Sequence, residues 1–441
     1  MQRPNGDGRT PTVSQICGDT LVELVYDVEQ KKTALVVSRF GGLWNIEQEY
    51  STGTGEILVP YSATNNLIAH ECVLLPSTPE EYGFKHELLA EIQSFLHRYV
   101  DLSESFERLA SYYILLSWVH DAFNELPYLR LRGDFGTGKT RGLIAIGSLC
   151  YKPFFASAAS TTSPIFHTLD AFRGTLVLDE ADFPNSDAKA DLTKLLNNGT
   201  IKGMPVLRTL MTKSREFNPY AFTVFGPKLV AMREGFQDKA LESRFITEET
   251  GTKPLRPDIP IGLPNSLKAE ALTLRNKLLH FRLCEFFNIK SDATAIMKTA
   301  EPRLNQTALS LLSLVDDPTI RREMQEWFLA GQQSAFAERQ ETIEAQMLRA
   351  ILRAMNDTSQ TVGSIGTIAD HFNMEGKLSG RAPVSSRWAG SFIRRHLRLD
   401  TYKNNGVYLI SPNEKKKIDA LSERYGIALI APATQIDKQC S

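Results

Sequence analysis

The sequence predicts an α/β protein whose central part is a parallel sheet with helices on both faces. Three stretches of the chain support this prediction. From Leu126 to about Thr247, extended apolar runs alternate with helical patterns, as strands and crossover helices do in parallel sheets. The preceding stretch, from Cys17 to about Pro76, alternates short β-type runs with Gly and Asn breaks, which predicts a small β-rich N-terminal domain. The following stretch, from about Asn265 to Ala354, has the periodicity of helices.

The composition is that of a globular protein. The chain has 441 residues, and single cores rarely grow past about 250 residues, so we expect about two or three domains. The apolar share of 42% and the charged share of 23% are ordinary values, which exclude a disordered chain or a fibrous repeat. Because the net charge is −1, any attraction to nucleic acid must come from local basic patches.

The cysteines and the start of the chain predict a cytoplasmic protein. The five cysteines are far apart and form no CxxC or Cys/His pair, which argues against structural zinc and a disulfide framework. The first residues are polar, and no run of about 18 apolar residues occurs anywhere. We therefore expect a protein that is neither secreted nor membrane-spanning.

The periodicity also predicts individual elements. Two helices are expected between Glu87 and Phe123, where apolar residues recur at helical spacing. The central part is expected to contain strands at Tyr128–Arg132, Pro153–Phe155, Thr175–Leu178, Tyr220–Val224 and Lys228–Met232.

The residues after the first of these strands fit the phosphate-binding pattern GxxxxGK followed by Ser or Thr. The helical run Arg141–Leu149 follows, as this motif requires. Glycines let backbone N–H groups surround phosphate oxygens, Lys139 is expected to reach the β- and γ-phosphates, and the Thr140 hydroxyl is expected to coordinate Mg²⁺. A chance Gly-rich turn is the alternative. The motif residues are Gly133, Asp134, Phe135, Gly136, Thr137, Gly138, Lys139 and Thr140.

A second motif supports the first. The apolar strand Thr175–Leu178 is followed by two carboxylates, Asp179 and Glu180, which is the Walker B pattern. We expect Asp179 to hold Mg²⁺ and Glu180 to orient and deprotonate the attacking water. An ordinary acidic loop is the alternative, but its pairing with an upstream phosphate-binding loop favours ATP·Mg²⁺ binding and hydrolysis.

The segment Ala240–Phe245 resembles the arginine-finger segment of AAA+ ATPases. The similarity is to the minichromosome-maintenance and superfamily 3-like replicative helicases of phages, plasmids and integrated elements, and it covers roughly Glu104 to Asp317. The resemblance implies that Arg244 reaches the γ-phosphate of a neighbouring subunit in a homo-oligomeric ring, which we expect to be a hexamer. A surface arginine at a helix end is the alternative reading.

The same resemblance suggests sensor residues. Arg233 follows the last predicted strand, where these ATPases usually have a small polar residue such as Asn, so its role stays open. Arg275 and Arg282 are candidates for the second sensor, an arginine that contacts phosphate. Their spacing is equally that of solvated arginines on one helix face.

The C-terminal part resembles the winged-helix domains appended to helicase-type ATPases. Helices are expected at Glu341–Met355, Ile365–Phe372 and Val384–Leu397, and an Asn-Gly pair flanked by β-forming residues then predicts a hairpin. The stretch from Arg381 to Lys403 contains six basic residues and one acidic residue. This concentration of positive charge suits phosphate contact. A protein–protein module is the alternative. The candidate DNA-binding residues here are Arg387, Arg394, Arg395 and Lys403.

A further basic group lies within the expected ATPase, in or beside a predicted hairpin that resembles the pore hairpin of those helicases. We expect Lys213 and Arg215 to follow the backbone of single-stranded DNA, although a solvated loop is an equal alternative. The group consists of Lys202, Arg208, Lys213 and Arg215.

These expectations combine into one organisation: a β-rich domain at 1–80, a helical lead-in at 81–125, an AAA+ core with a helical lid at 126–335, a winged helix at 336–413 and a tail at 414–441. The predicted function is an ATP-driven DNA motor of the replicative-helicase type. The alternatives are an initiator or helicase loader that does not unwind DNA, and a nucleotide-switched regulatory ATPase. Expected partners are single-stranded or forked DNA, further copies of the chain, and replication or mobile-element proteins.

Overall fold

The structure is a computed structural model that describes residues 8–39, 42–157, 159–179, 186–211, 217–236, 238–357, 363–378 and 381–427. The chain divides into two compact units, Met1–Phe328 and Leu329–Ser441. Each unit contains a hydrophobic core of its own.

The first unit begins with two small sheets, as the β-rich N-terminal sequence predicts. The central strand of the four-stranded sheet is buried almost throughout, because strands pair with both of its edges. The four-stranded sheet has the order β2 (Ser14–Cys17), β3 (Thr20–Asp27), β4 (Lys32–Arg39) and β5 (Leu43–Glu47). The three-stranded sheet has the order β1 (Arg9–Thr12), β7 (Ile57–Pro60) and β6 (Tyr50–Ser51).

Helices follow these sheets. After the short α1 (Asn66–Ala69), the two helices expected in this part of the chain are present as α2 (Lys85–Tyr99) and α3 (Glu104–Trp118). The Ser103 hydroxyl accepts a hydrogen bond from the Phe106 amide at 3.3 Å, so a serine cap begins α3.

A five-stranded sheet, parallel throughout, forms the centre of the first unit, which confirms the predicted α/β class. Its order across the sheet is β14, β8, β13, β10 and β9. In chain order the strands are β8 (Tyr128–Arg132), β9 (Phe154–Ser157), β10 (Leu176–Asp179), β13 (Lys228–Met232) and β14 (Phe245–Glu249).

Helices cover this sheet because its strands are apolar on both faces. Helix α4 (Lys139–Leu149) packs on three of the strands. Leu176 and Leu178 of β10 share a core with the apolar residues of α5 (Thr162–Phe172) and α6 (Ser186–Asn198).

Two strands depart from the prediction. The residues from Tyr220 were expected to form a strand of the parallel sheet, but β12 (Phe217–Phe222) pairs antiparallel with β11 (Val206–Met211) in a separate hairpin. Strand β14 was not predicted, because its sequence Phe-Ile-Thr-Glu-Glu carries too few apolar residues for the pattern of a buried strand. It is an edge strand beside β8, and edge strands tolerate polar residues.

The helical stretch after the sheet is present, interrupted by loops. The short α7 (Lys239–Glu242) precedes β14. After β14 the helices are α8 (Ser266–Glu285), α9 (Pro302–Leu312) and α10 (Pro318–Gln340). The boundary between the two units falls within α10.

The second unit contains helices and one hairpin. Its core draws on the four helices that follow α10 and on the hairpin, through residues such as Ile351, Phe372, Ile393, Ile410 and Ile418. The stretch predicted to be a tail therefore contributes a packed helix. The elements are α11 (Ile343–Asp357), α12 (Ile365–Leu378), α13 (Ser386–Arg395), β15 (Thr401–Asn404), β16 (Val407–Ile410) and α14 (Lys415–Arg424).

Candidate functional site

The phosphate-binding motif forms a loop between the end of β8 and the start of α4. Gly138 has φ 86° at the position that caps the helix, a backbone conformation that favours glycine. Gly133 is closely covered, since a Cβ there would lie 2.6 Å from the Thr250 carbonyl oxygen. The first amides of α4 lack intrahelical acceptors, so the loop presents N–H donors and the positive end of a helix dipole to an anion.

Two side chains tie this loop together. The Lys139 ammonium donates to the Gly133 carbonyl at 2.6 Å and to the Asp134 carbonyl, so the cation is held inside the loop. The Thr137 hydroxyl donates to the Asp134 carbonyl at 2.8 Å and pairs with the Thr250 hydroxyl at 2.9 Å.

Thr250 was missed by the sequence reasoning. Its hydroxyl donates to the Arg132 carbonyl at 3.0 Å, so the residue after β14 supports the loop that follows β8. The only available signal was its position after a strand, and that strand was itself not predicted.

The two motifs come together at Thr140 and Asp179. The Thr140 hydroxyl donates to a carboxylate oxygen of Asp179 at 2.8 Å, although β13 separates the strands from which the two motifs emerge. A hydroxyl and a carboxylate are oxygen ligands of the kind that Mg²⁺ takes. Glu180, the expected general base, lies outside the described residues.

The P-loop pocket is a cavity of about 330 Å³ at the carboxyl end of the sheet. Arg233, at the end of β13, lies in it with its guanidinium carbon 3.4 Å from the centroid of the Phe135 ring. The Phe135 side chain is 75% exposed. The pocket is lined by Phe135, Gly136, Thr137, Gly138, Lys139, Thr140, Arg141, Asp179, Met232 and Arg233.

Arg244 lies at the opposite end of the sheet. Its carbonyl accepts from the Tyr128 amide at 3.0 Å, at the start of β8, whereas the P-loop begins where β8 ends. Its guanidinium donates to the side-chain oxygen of Asn197 and shares a small cavity with Arg303. Burial and the nearby Arg303 charge lower the pKa of Arg244.

Arg275 and Arg282 are placed away from the P-loop pocket. Arg275 is 7% exposed and donates to the Ser148 carbonyl at 2.8 Å. Arg282 is fully buried and donates to Asp121 at 2.7 Å and to Glu23 of β3 at 2.8 Å. Neither arginine is solvated, and these contacts do not support a phosphate-sensing role.

Arg282 belongs to a buried group of charged and polar side chains, the Glu23 cluster. Lys152 donates to Glu23 at 2.6 Å, and Tyr151 donates to the same carboxylate at 2.8 Å. Burial lowers the pKa of Lys152 to about 8 although Glu23 opposes this shift. The cluster consists of Glu23, Asp121, Tyr151, Lys152 and Arg282.

Two of the candidate DNA-binding residues of the first unit contact other parts of the fold. The Lys202 ammonium donates to the Asp121 carbonyl at 2.8 Å. Arg208 of β11 forms an ion pair with Asp191 at 2.9 Å and lies over the Phe166 ring. Lys213 and Arg215 lie outside the described residues.

The basic residues of the second unit are exposed. Arg387, Arg394, Arg395 and Lys403 all present their side chains to solvent. The Arg394 guanidinium donates to the Thr401 hydroxyl at 3.0 Å. Trp388 of the same helix is 39% exposed, because it stacks at the edge of the core against Phe392.

Comparison with known proteins gives distant structural similarities. No protein-family profile and no curated protein matches the chain. The C-terminal region of NrS-1, in an apo form, has a TM-score of 0.40 at 11% identity, and the match covers 88% of this chain and 96% of that chain. A full-length MCM homologue from Methanopyrus kandleri has a TM-score of 0.35 at 11% identity, with coverages of 68% and 69%.

A third similar structure is the SCCmec type IV Cch, an active helicase, with a TM-score of 0.32, 10% identity and coverages of 93% and 95%. TM-scores this low assign neither a family nor a function, and both must follow from this chain's own residues. Across the described helices, none combines the length and apolar character that a membrane span requires.

Proposed function

We propose that this chain is an AAA+ ATPase that hydrolyses ATP in the P-loop pocket and uses the reaction to move on DNA, as a replicative-type helicase does. One observation carries the nucleotide part of the proposal. The 2.8 Å hydrogen bond between Thr140 and Asp179 joins the two motifs that the sequence assigned to ATP·Mg²⁺. Two segments that do not share a ligand would not be expected to bring these two oxygen ligands together.

The position of the pocket supports the same assignment. In open parallel sheets, ligands bind beyond the carboxyl ends of the strands where the strand order reverses. The chain leaves β8 for β9 on one side, returns through β10 and β13, and crosses to β14 on the other side of β8. The P-loop pocket lies at the ends of β8 and β13, at this reversal.

The residues suit phosphoryl transfer. Mg²⁺, when bound with the nucleotide, would neutralise charge on the phosphate oxygens. Thr140 and Asp179 would hold it, and the Lys139 ammonium would exchange its loop carbonyls for oxygens of the β- and γ-phosphates. Glu180 would orient the attacking water and accept its proton.

Arg244 supports a shared site. The start of β8 and its end are separated by about 13 Å along the strand, so Arg244 lies too far from the P-loop of its own chain to contact a γ-phosphate bound there. Its pocket also holds a second arginine, and its guanidinium donates to a neutral amide oxygen. We propose that Arg244 serves the pocket of a neighbouring copy in a ring.

The second unit supports the DNA part of the proposal. Its element order of three helices and a hairpin is that of a winged helix, with α13 as the recognition helix. Its exposed arginines and lysine suit contact with phosphates. In the first unit, the exposed Lys202 remains proposed as a DNA contact together with Lys213 and Arg215, whereas Arg208 is paired with Asp191.

The experiment is steady-state ATP hydrolysis by the full chain, alone and with single-stranded, forked or duplex DNA. We expect Mg²⁺-dependent turnover that single-stranded or forked DNA stimulates, and loss of turnover in Lys139→Ala. Absence of turnover in the wild-type protein under all these conditions would refute the ATPase assignment.

Mixing variants tests the shared site. Lys139→Ala and Arg244→Ala should each be inactive alone, and a mixture should regain activity because Lys139→Ala subunits supply Arg244 to intact pockets. Lys239→Ala, which changes an exposed residue of the same segment, is the matched control and should remain active. Full activity of Arg244→Ala alone would exclude the arginine-finger role.

The same assays separate the alternatives. An initiator or loader would hydrolyse ATP in response to DNA but would not separate the strands of a forked substrate. A regulatory switch would turn over slowly, and DNA would not stimulate it. A helicase requires both DNA stimulation and strand separation.

A further inference from the structure

The hairpin of β15 and β16 has one end fixed in the core and one end in solvent. At the fixed end, Ile410 is 2% exposed and its amide donates to the Gly363 carbonyl at 3.3 Å. At the free end, Asn405 and Gly406 both have positive φ, 46° and 83°, as a tight type I′ turn requires. Tyr408, close to this turn, is 51% exposed.

The pairing register assigns side chains to the two faces of the hairpin. Lys403 lies directly opposite Tyr408, and Thr401 lies directly opposite Ile410. Because side chains alternate along a strand, these four share one face. Tyr402 lies opposite Leu409 on the other face and is 39% exposed.

The face that carries Tyr408 also has basic side chains close to the exposed tyrosine ring. The Lys403 ammonium lies 5.8 Å from the centroid of the Tyr408 ring. Arg394, at the end of α13, joins this face by donating to the Thr401 hydroxyl at 3.0 Å. Within the described residues, no carboxylate forms an ion pair with Arg394 or Lys403. We call Arg394, Thr401, Lys403 and Tyr408 the aromatic–basic face.

We propose that the aromatic–basic face binds single-stranded nucleic acid, with a base stacked on Tyr408 and the adjoining phosphates contacted by Arg394 and Lys403. The inference rests on the proposed action on DNA. It adds that this surface selects single strands over duplexes. Cations alone attract single strands and duplexes alike. An aromatic ring needs the face of a base, which a duplex keeps within its stack and a single strand exposes.

The test is the affinity of the full chain for a fluorescent oligothymidylate and for a hairpin duplex of equal charge, at fixed salt. Tyr408→Ala should weaken oligothymidylate binding by about 5- to 100-fold, the effect of losing one base–aromatic stack. Tyr408→Phe keeps the ring and should retain the affinity. Tyr402→Ala removes an exposed tyrosine from the opposite face and should change the affinity less than about twofold.

Two further results complete the prediction. Duplex affinity should be unchanged in Tyr408→Ala, and Arg394→Gln or Lys403→Gln should each reduce the salt dependence of oligothymidylate binding by about 0.7 in slope. Unchanged oligothymidylate binding by Tyr408→Ala, an equal loss in Tyr402→Ala, or an equal loss on duplex would overturn the inference.

ATP turnover measured without DNA separates this inference from the proposed function. If the wild-type protein hydrolyses ATP and Tyr408→Ala binds oligothymidylate normally, the inference fails and the ATPase assignment stands. If Tyr408 governs oligothymidylate binding in a protein that hydrolyses no ATP, the inference stands and the proposed function fails.

Discussion

The P-loop pocket and the Glu23 cluster are both rich in charged side chains, but they differ in what surrounds the charges. In the Glu23 cluster, Glu23 and Lys152 are each 1% exposed and Arg282 is fully buried, and carboxylates neutralise both cations. In the P-loop pocket, the Lys139 ammonium is held by backbone carbonyls beside an open cavity.

This difference separates charges that support the fold from charges that can act on a ligand. A buried pair satisfied on all sides has no capacity left for a new partner, and removing one member leaves an uncompensated buried charge. An ammonium group that donates to neutral carbonyls at the wall of an open cavity can exchange those carbonyls for phosphate oxygens. The comparison therefore predicts that changes in the pocket alter turnover and that changes in the cluster alter stability.

The largest effect on turnover is expected from Asp179→Asn. Losing the carboxylate should lower ATP turnover by about 100- to 1000-fold, as loss of one essential electrostatic contact in an active site does. The unfolding midpoint in urea should hardly change, because the substitution keeps the shape of the side chain. A large fall in the midpoint would show that Asp179 is part of the fold in the way that Glu23 is.

The next effect is expected from Glu23→Gln. It leaves Lys152 and Arg282 with too little compensating charge, so the free energy of unfolding should fall by about 3–5 kcal/mol. Urea denaturation measures this loss. Glu29→Gln, at an exposed residue of the turn after β3, is the control and should change stability by less than about 0.5 kcal/mol.

Nucleotide binding completes that experiment. Below the unfolding transition, Glu23→Gln should bind ATP as the wild-type protein does. Weaker binding per folded molecule would show that the cluster acts on the pocket and does more than support the fold.

The effect of acid on stability is expected to be smaller than the effect of Glu23→Gln. Burial raises the pKa of Glu23, but the charges of Lys152 and Arg282 lower this pKa by more, so it lies below its ordinary value of 4.5. Burial likewise raises the pKa of Asp121, and Arg282 lowers it below 3.8. Each folded-state pKa is depressed, so the stabilisation is present above the ordinary value and is lost as the pH falls toward the folded value.

The measurement is the free energy of unfolding between pH 6 and about pH 3. The free energy of unfolding should decrease as the pH falls in the wild-type protein. The decrease should be less steep in Glu23→Gln, and the difference in slope should correspond to at most about one bound proton. Identical slopes in the two proteins would contradict the assigned ionisation of Glu23.

The smallest effect concerns the contact between Phe135 and Arg233. A double-mutant cycle with Phe135→Ala and Arg233→Ala should give a coupling of about 0.5–1 kcal/mol in stability, because the ring is largely exposed to solvent. A coupling of several kcal/mol would place this pair with the buried cluster and not with the open pocket.

Short local motifs were predictable from the sequence, whereas contacts between residues far apart in the chain were not. The phosphate-binding loop and the strand bearing Asp179 were recognisable because each is a short motif with its own backbone requirements, and three strands and the C-terminal hairpin followed from periodicity and an Asn-Gly turn. Arg282 could not be interpreted, because its partner Glu23 lies 259 residues away in another sheet. A helical arginine has the same pattern in sequence whether it senses phosphate, faces solvent or is buried in an ion pair.

Edge and boundary positions were equally hard to predict. Strand β14 carries polar residues because it lies at the edge of the sheet, so periodicity did not reveal it, and Thr250 was missed with it. Arg208 was expected to contact DNA, but its ion pair with Asp191 depends on where the hairpin folds against α6. Such pairings are set by tertiary contacts, which a single sequence does not display.

Equilibrium binding of labelled ATP to the full chain, with and without Mg²⁺, tests whether the P-loop pocket is a nucleotide site. We expect one saturable site per chain, with binding weakened when Mg²⁺ is removed or Thr140 is replaced by Ala, and weakened at least about tenfold in Lys139→Ala. Failure of the folded wild-type protein to retain ATP in the presence of Mg²⁺, or equal binding by Lys139→Ala, would contradict this expectation.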